Sequence, residues 1–417
     1  MTKKMLGRRL FVIGSILFPV LICFYVVSLN SNRLIPKFLN IPLLYLGIFA
    51  LVMEITGIVL YFTSKDKLKK KFKKPLVVIF FILLTLYTVV GFGFTYKLYF
   101  SGKDFKEWLV TTAMTTMSHQ YLANWFYSDY DIASVMAQNV VIESAEDTNA
   151  DLIKFKEIDF NKTTFADEYD RAVLTKDPGN DLYKIIDVSG KNYKGKLAVV
   201  YDPSKVKIGV SNKIGTNYKT SKGQYINEIA ARYNAVLAIN GGGFIDPGWN
   251  TWGGTPHGIT ISYGKLVSNN AKATFGGGIV GFTKDNKLVL THYTAQQAIN
   301  AGIRDCVEFG PFLVVNGKSS YIKGNGGWGT APRTAIGQRA DGIVLLLVID
   351  GRQVGSAGVD MNELSRIMVR YGAINAANMD GGTSTAMELK GTIISNPRNG
   401  SGVKKTRPVP TAWIVIP

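Results

Sequence analysis

Three short stretches of this 417-residue chain place polar or charged side chains beside residues that suit tight turns, at the ends of apolar runs. They are Asn240-Gly241-Gly242-Gly243, Pro332-Arg333 and Asp380-Gly381-Gly382-Thr383-Ser384. Glycine contributes no side chain to a core, so an acid followed by two glycines predicts a sharp turn that holds a carboxylate at the rim of a sheet. Three such stretches predict one shared pocket.

Asp380 is the predicted catalytic carboxylate. The structural alternative is an ordinary Asp-Gly hairpin turn, which needs no further polar residues. The hydroxyls of Thr383 and Ser384 favour a site, and together with Gly381 and Gly382 these residues are predicted to contact a substrate.

Asn240 and the glycines that follow it are also predicted to bind substrate, because successive backbone N–H groups can receive an anionic oxygen. The alternative is a glycine-rich crossing of two backbones. Arg333 and Arg407 carry guanidinium forks that suit a phosphate or a carboxylate, and a surface salt bridge is the alternative for each.

Glu308 and His257 complete the predicted catalytic set. Glu308 lies in an apolar run and is either the second carboxylate of a glycosidase pair or a solvent-facing strand residue. His257 is either a proton carrier or a lone exposed histidine. Asp350, Asp360 and Asp380 offer oxygen ligands for Ca²⁺ or Mg²⁺ without calcium-loop spacing, so a metal is left open and no cofactor is predicted to be required.

Several classes of protein are disfavoured. No nucleophile elbow surrounds a serine, no zinc spacing is present, and the glycine runs lack phosphate-loop spacing. The net charge of +18 is concentrated in residues 1–104, which hold 15 Lys and Arg against 3 Asp and Glu. Nucleic acid is therefore not a predicted partner. Cys23 and Cys306 are predicted to be unpaired, which is typical of a bacterial exported protein.

Residues 1–100 are predicted to form a membrane arm with three transmembrane helices. Leu10–Leu29, Ile41–Phe62 and Pro75–Tyr96 are each long enough to span a bilayer, and Glu54 is the one acid inside them. Glu54 is predicted to be partnered by a hydroxyl or a backbone group. Basic residues before the first span and between the second and third place the N-terminus in the cytoplasm and the C-terminal domain outside.

Residues 101–181 are predicted to be a juxtamembrane helix, Lys103–Ser128, followed by a polar connector. Residues 182–417 show many short strands with helices at Tyr225–Tyr233 and Asn362–Tyr371, the latter with Asn362 as its N-cap. Strands and helices do not alternate regularly, so the predicted fold class is α+β.

From about residue 195 to 417 the chain resembles the phosphodiester glycosidase family. The resemblance rests on six motifs in the same order: Asn240–Phe244, Phe309–Gly317, Pro332–Gly337, Val348–Arg352, Asn378–Ser384 and Arg407–Thr411. This chain has three glycines before Phe244 where the family more often has two, and Thr383 where it often has a third glycine.

The resemblance implies a strand-rich domain that hydrolyses the bond between a sugar's anomeric carbon and a phosphodiester oxygen. It implies that Arg333, with Arg407, binds the phosphate and that Asp380 stabilises the anomeric carbon or activates water. The expected substrate is a phosphodiester-linked glycan of the cell envelope or an exopolysaccharide. The competing hypothesis is a non-catalytic, membrane-anchored protein that binds or assembles such a glycan.

Overall fold

The computed structural model describes residues 2–30, 39–64, 74–116, 119–155, 160, 163–247, 251–270, 276–399 and 402–417, and for residues 74–85 it describes the backbone alone. The chain forms two compact units, Met1–Ala137 and Gln138–Pro417. Each is described separately.

The first unit is helical. Its helices are α1 Lys3–Asn30, α2 Asn40–Thr63, α3 Lys74–Tyr99, α4 Lys103–Met114, α5 Tyr121–Phe126 and α6 Asp129–Gln138. Helices α1 and α2 cross closely, because a Cβ on Gly14 would lie 2.6 Å from the carbonyl oxygen of Ala50. At the same interface the Ser15 hydroxyl donates to Glu54 at 2.8 Å, which confirms the predicted hydroxyl partner of this acid.

Two helices, α1 and α2, are long and apolar enough to cross a membrane, among the residues that were described. A buried core helix, or a signal sequence near the N-terminus, has the same length and composition. Two of the three predicted spans are therefore found as candidates among the described residues. The third predicted span falls within α3, a helix in which part of the side chains lies outside the described residues.

The predicted single helix Lys103–Ser128 is wrong, because the structure has α4 and α5 there and starts α6 directly after it. Ser128 explains the last break, since its hydroxyl oxygen accepts a hydrogen bond from the Asp131 N–H at 3.1 Å and caps a new helix. The short helices fold around a shared apolar cluster that includes Val110 and Tyr127.

The second unit is strand-rich, and the predicted mixed helix-and-strand class is confirmed. Its helices are α7 Glu168–Leu174, α8 Ile226–Arg232, α9 Ala295–Asn300 and α10 Met361–Arg370. Its strands are β1 Val140–Ile142, β2 Tyr183–Gly190, β3 Tyr193–Val200, β4 Val206–Val210, β5 Leu237–Asn240, β6 Ile259–Ser262, β7 Lys265–Asn269, β8 Gly278–Thr283, β9 Leu288–Thr291, β10 Ile303–Phe309, β11 Phe312–Val315, β12 Lys318–Ser319, β13 Tyr321–Lys323, β14 Arg333–Arg339, β15 Val344–Ile349, β16 Ala373–Met379, β17 Met387–Leu389, β18 Thr392–Ile393 and β19 Thr411–Val415.

Three antiparallel sheets enclose the main core. Their strand orders are β12-β11-β16-β14-β15-β3-β2, β7-β6-β10-β8-β9 and β18-β17-β5-β19-β4. Each sheet contributes fully buried side chains to one shared apolar cluster, for example Leu346, Phe282 and Trp413. Helix α10 covers the other face of the seven-stranded sheet with Leu364 and Ile367. The sheets thus fix where the ends of β5, β14 and β16 lie.

Two local predictions differ from the structure. The compact unit begins at Gln138, before the predicted domain boundary at residue 182, because β1 in the predicted connector pairs with β13. Helix α10 is capped by Asp360, which accepts from the Glu363 N–H at 2.9 Å, and not by Asn362. Asp360 lies two residues before Asn362 and satisfies one of the orphan donors of the first helical turn.

Candidate active site

The three predicted stretches meet at one rim. Strands β14 and β16 pair antiparallel with Thr334 opposite Met379, so Arg333 and Asp380 emerge at the same edge of the seven-stranded sheet. Strand β5 of a second sheet ends there at Asn240, and the Asp380 N–H donates to the Gly241 carbonyl at 3.2 Å. The three motifs therefore lie together, as predicted, because strand register brings their strand ends to the same place.

Asn240 joins the two sheets with its side chain. Its amide nitrogen donates to the Asp380 carbonyl oxygen at 2.7 Å. Its amide oxygen accepts from the Thr334 hydroxyl at 2.7 Å and from the Ala386 N–H at 3.2 Å. Because this fully buried amide is committed to the protein, Asn240 positions the Asp380 loop. Its predicted contact with a sugar stays a prediction.

The glycine run is also held by the protein. The N–H groups of Gly241 and Gly242 donate to the backbone and side-chain oxygens of Thr411, at 3.0 and 3.2 Å. A Cβ on Gly243 would lie 2.4 Å from the Phe309 ring. Neighbouring groups therefore approach all three glycines closely. This is the structural alternative to substrate binding, and it explains why glycine stands at these positions.

The Asp380 carboxyl lies partly buried at this rim. Its Oδ1 accepts from the Gly381 N–H at 3.0 Å, and the Ser384 hydroxyl is a further hydrogen-bond partner. Burial raises the pKa of Asp380, as does the nearby charge of Asp246, against the opposing effects of Ser384, Arg407 and the Gly381 N–H. A carboxyl that keeps its proton to higher pH than an exposed aspartate suits proton transfer.

Arg407 and Asp246 form an ion pair next to Asp380. The Thr251 hydroxyl donates to the other oxygen of Asp246 at 2.6 Å, and the Arg407 guanidinium lies 4.4 Å from the centre of the Phe244 ring. Arg407 therefore forms a salt bridge, the alternative to a phosphate-binding role, and its partner Asp246 is buried. The sequence prediction missed Asp246, although an acid two residues after the Asn240–Phe244 motif was the available signal.

Arg333 is buried, and its guanidinium faces backbone carbonyls. It donates to the Val359 oxygen at 3.3 Å and the Gly329 oxygen at 2.8 Å. Burial, and then the positive charge of Arg352, lower the pKa of Arg333 to about 9. Its Nη1 lies 3.6 Å from where a Cβ on Gly381 would stand. This atom is the part of Arg333 nearest the Asp380 loop.

Glu308 and His257 lie against the glycine run, near Gly242 and Gly243. Glu308 faces inward from β10, where its Oε2 accepts from the Ile259 N–H at 2.9 Å, so the solvent-facing alternative is wrong. Gly258, with φ +60°, leaves the room this carboxylate needs. The His257 N–H donates to the Gly243 carbonyl at 2.9 Å, and its side chain is partly buried. Catalytic roles for both residues stay predictions.

The predicted metal ligands Asp350 and Asp360 serve local structure. Asp350 accepts from the Asn396 N–H at 2.8 Å, and burial raises its pKa. Asp360 caps α10. Within the part of the chain that the structure describes, no three His, Cys, Asp or Glu side chains come together to hold a metal ion. These carboxylates do not fit a shared divalent-cation site.

Comparison with known proteins bears on the same stretch of chain. Residues 233–416 match the phosphodiester glycosidase family. The matched stretch contains β5, β14, β16 and β19, which carry or flank Asn240, Arg333, Asp380 and Arg407. The resemblance found in the sequence is confirmed over these residues.

Two curated relatives have low sequence identity to this chain and match only part of it. An uncharacterised prophage-derived protein of Bacillus subtilis, YomE, is 27% identical over 231 residues, covering 52% of this chain and 34% of that protein. N-acetylglucosamine-1-phosphodiester alpha-N-acetylglucosaminidase of Bos taurus is 23% identical over 155 residues, covering 32% and 29%. The chain thus spans about a third of the length of these relatives.

A solved structure is similar to the same domain. The zebrafish N-acetylglucosamine-1-phosphodiester alpha-N-acetylglucosaminidase catalytic domain is 21% identical, with a TM-score of 0.48 over 58% of this chain and 86% of that one.

Proposed function

We propose that the second unit hydrolyses the bond between the anomeric carbon of a sugar and a phosphodiester oxygen. The observation that supports this is the Asp380 carboxyl, held at a rim of two sheets beside the Arg407–Asp246 pair, inside a stretch that matches a phosphodiester glycosidase family. Phosphate is a good leaving group, so the site's main tasks are to hold its charge and to stabilise an oxocarbenium-like centre.

The proposed step uses residues already placed at the rim. A water oxygen attacks the anomeric carbon while the bond from that carbon to the phosphate oxygen breaks, and its electron pair leaves with the phosphate monoester. Asp380 takes the proton of the water or stabilises the positive carbon. Arg407 and the Nη1 atom of Arg333 supply positive charge for the phosphate, and their fixed partners keep these groups in place before substrate arrives.

The cellular context is part of the proposal. Helices α1 and α2, with α3, anchor the protein in a membrane, and the flanking basic residues set the second unit on the outer side. A domain there meets phosphodiester-linked glycans of the cell envelope or an exopolysaccharide, and these are the proposed substrates.

The test is sugar release by the full-length protein in detergent from a panel of sugar-1-phosphodiesters, beginning with N-acetylglucosamine. Asp380→Asn is expected to abolish release. Asp285→Asn, at the exposed turn between β8 and β9, makes the same chemical change away from the rim and should be fully active. Unchanged release by Asp380→Asn removes that residue from the mechanism. No release across the panel, with glycan binding intact, favours the anchored glycan-binding protein.

A further inference from the structure

Arg352 is held in an unusual backbone conformation directly after β15. Its φ is +59°, in the left-handed region that a non-glycine residue enters only when its surroundings impose it. The Arg352 N–H donates to the Ala357 carbonyl at 3.2 Å, which closes the turn. The preceding Gly351 has no room for a side chain, because a Cβ there would lie 2.6 Å from the Pro332 nitrogen. Strain kept in this way at a rim commonly marks a functional residue.

The strained turn places the Arg352 guanidinium against the loop that follows Asp380. Its Nη1 donates to the Thr383 hydroxyl at 3.3 Å, and its Nη2 lies 3.0 Å from where a Cβ on Gly382 would stand. None of the salt bridges found between described residues involves Arg352. Its positive charge is instead near a second arginine, since it lowers the pKa of Arg333. The protein thus places two arginines close together here, with Asp360 as an opposing charge near Arg333.

Arg398 adds another cation beside Arg352. Together with Gln353 and Val354, the two arginines line an open depression of about 650 Å³. The Nε of Arg398 is buried without a hydrogen-bond partner among the described atoms, while Nη1 of the same guanidinium donates to the Gly402 carbonyl at 2.7 Å. A buried charged donor without an acceptor is unfavourable, so the guanidinium of Arg398 is one acceptor short.

We propose that Arg352 and Arg398 form a second anion subsite, which binds the phosphate next to the scissile one in a polymer of sugar phosphodiesters. This rests on the proposed hydrolysis at Asp380. Thr383, which Arg352 contacts, is three residues from Asp380, so their Cα atoms are at most about 11 Å apart. The Arg352 contact at Thr383 is thus close enough to Asp380 for one bound chain to reach both. The substrate class is therefore a polyanionic glycan with repeated phosphodiesters, and not an isolated sugar-1-phosphodiester.

The test compares two substrates with the same scissile bond on the full-length protein. One is the methyl phosphodiester of N-acetylglucosamine-1-phosphate, and the other is a trimer of that unit joined by phosphodiesters. Wild type is expected to have a higher kcat/KM for the trimer. Arg398→Gln should lower that value by about 10-fold or more, the effect of one charge-assisted hydrogen bond, and leave the methyl ester unchanged. An equal effect on both substrates, or no wild-type preference, overturns the subsite.

Binding separates this proposal from the proposed function. Calorimetry with the trimer should show binding to wild type that is about 10-fold or more weaker in Arg398→Gln. If neither substrate is cleaved but this loss is seen, the hydrolysis proposal fails and the anion subsite stands. If the trimer binds both proteins equally, the subsite is overturned whatever the turnover.

Discussion

Replacing Arg407 with alanine tests whether the charges beside Asp380 form one unit. The change leaves the Asp246 carboxylate, with a side chain 3% exposed, without its ion-pair partner. Removing one member of a buried pair costs about 3–5 kcal/mol. The Arg407 side chain is 22% exposed, so water partly screens the pair and the lower end, about 3 kcal/mol, is expected. At 2–4 °C per kcal/mol, the Tm of the domain should fall by about 6–12 °C.

The assay is thermal unfolding of a double-mutant cycle with Arg407→Ala, Asp246→Asn and the double variant. Neutralising Asp246 removes the unpaired charge, so the double variant should recover part of the stability, with a coupling energy of about 1–3 kcal/mol. Additive effects, or a single-variant loss below about 1 kcal/mol, which is ordinary for an exposed ion pair, would refute the argument that this pair is a buried structural unit.

The same variant makes a prediction for pH dependence. Arg407 lowers the pKa of Asp380 against the larger effect of burial, so its removal should raise that pKa further. If ionised Asp380 is required, the acidic limb of kcat/KM should move to higher pH in Arg407→Ala. An unmoved limb would show that the titrating group is not Asp380.

Three further changes test other parts of the site. The raised pKa of Asp380 stabilises the fold below the ordinary value of 3.8, and that stability is lost as pH rises through the folded-state pKa. Asp380→Asn should therefore gain Tm relative to wild type as pH rises from 3 to 8, and a constant difference would contradict this. Gly243→Ala sets a Cβ 2.4 Å from the Phe309 ring and should cost about 1–3 kcal/mol by denaturant unfolding, whereas a change within 0.5 kcal/mol would show that the loop gives way. Trp252 is 60% exposed beside the Thr251 that bonds Asp246, and its ring is expected to contact the sugar of the proposed substrate. Trp252→Ala should raise KM with little change in kcat or Tm, and an unchanged KM would remove it from substrate binding.

Local patterns in the sequence were sufficient for several features. The hairpin turns at Gly264, Asn286, Gly317 and Gly342 each carry glycine or asparagine, residues that accept positive φ. The position of Asp380 after a buried strand, and the apolar length of α1 and α2, were equally local properties. The six ordered motifs were enough to identify the family-type domain.

The tertiary structure alone decided how the motif residues are used. Asn240 ties Asp380 to a second sheet, Glu308 turns inward, and Arg407 pairs with Asp246, which lies 161 residues away along the chain. Each outcome depends on which strands pair and which faces pack together. A strand's own sequence gives its alternation, but its neighbours and its buried face are set by burial of apolar surface across the whole domain. The sequence thus determined which residues stand at strand ends, and only the packing of the sheets determined which of them meet.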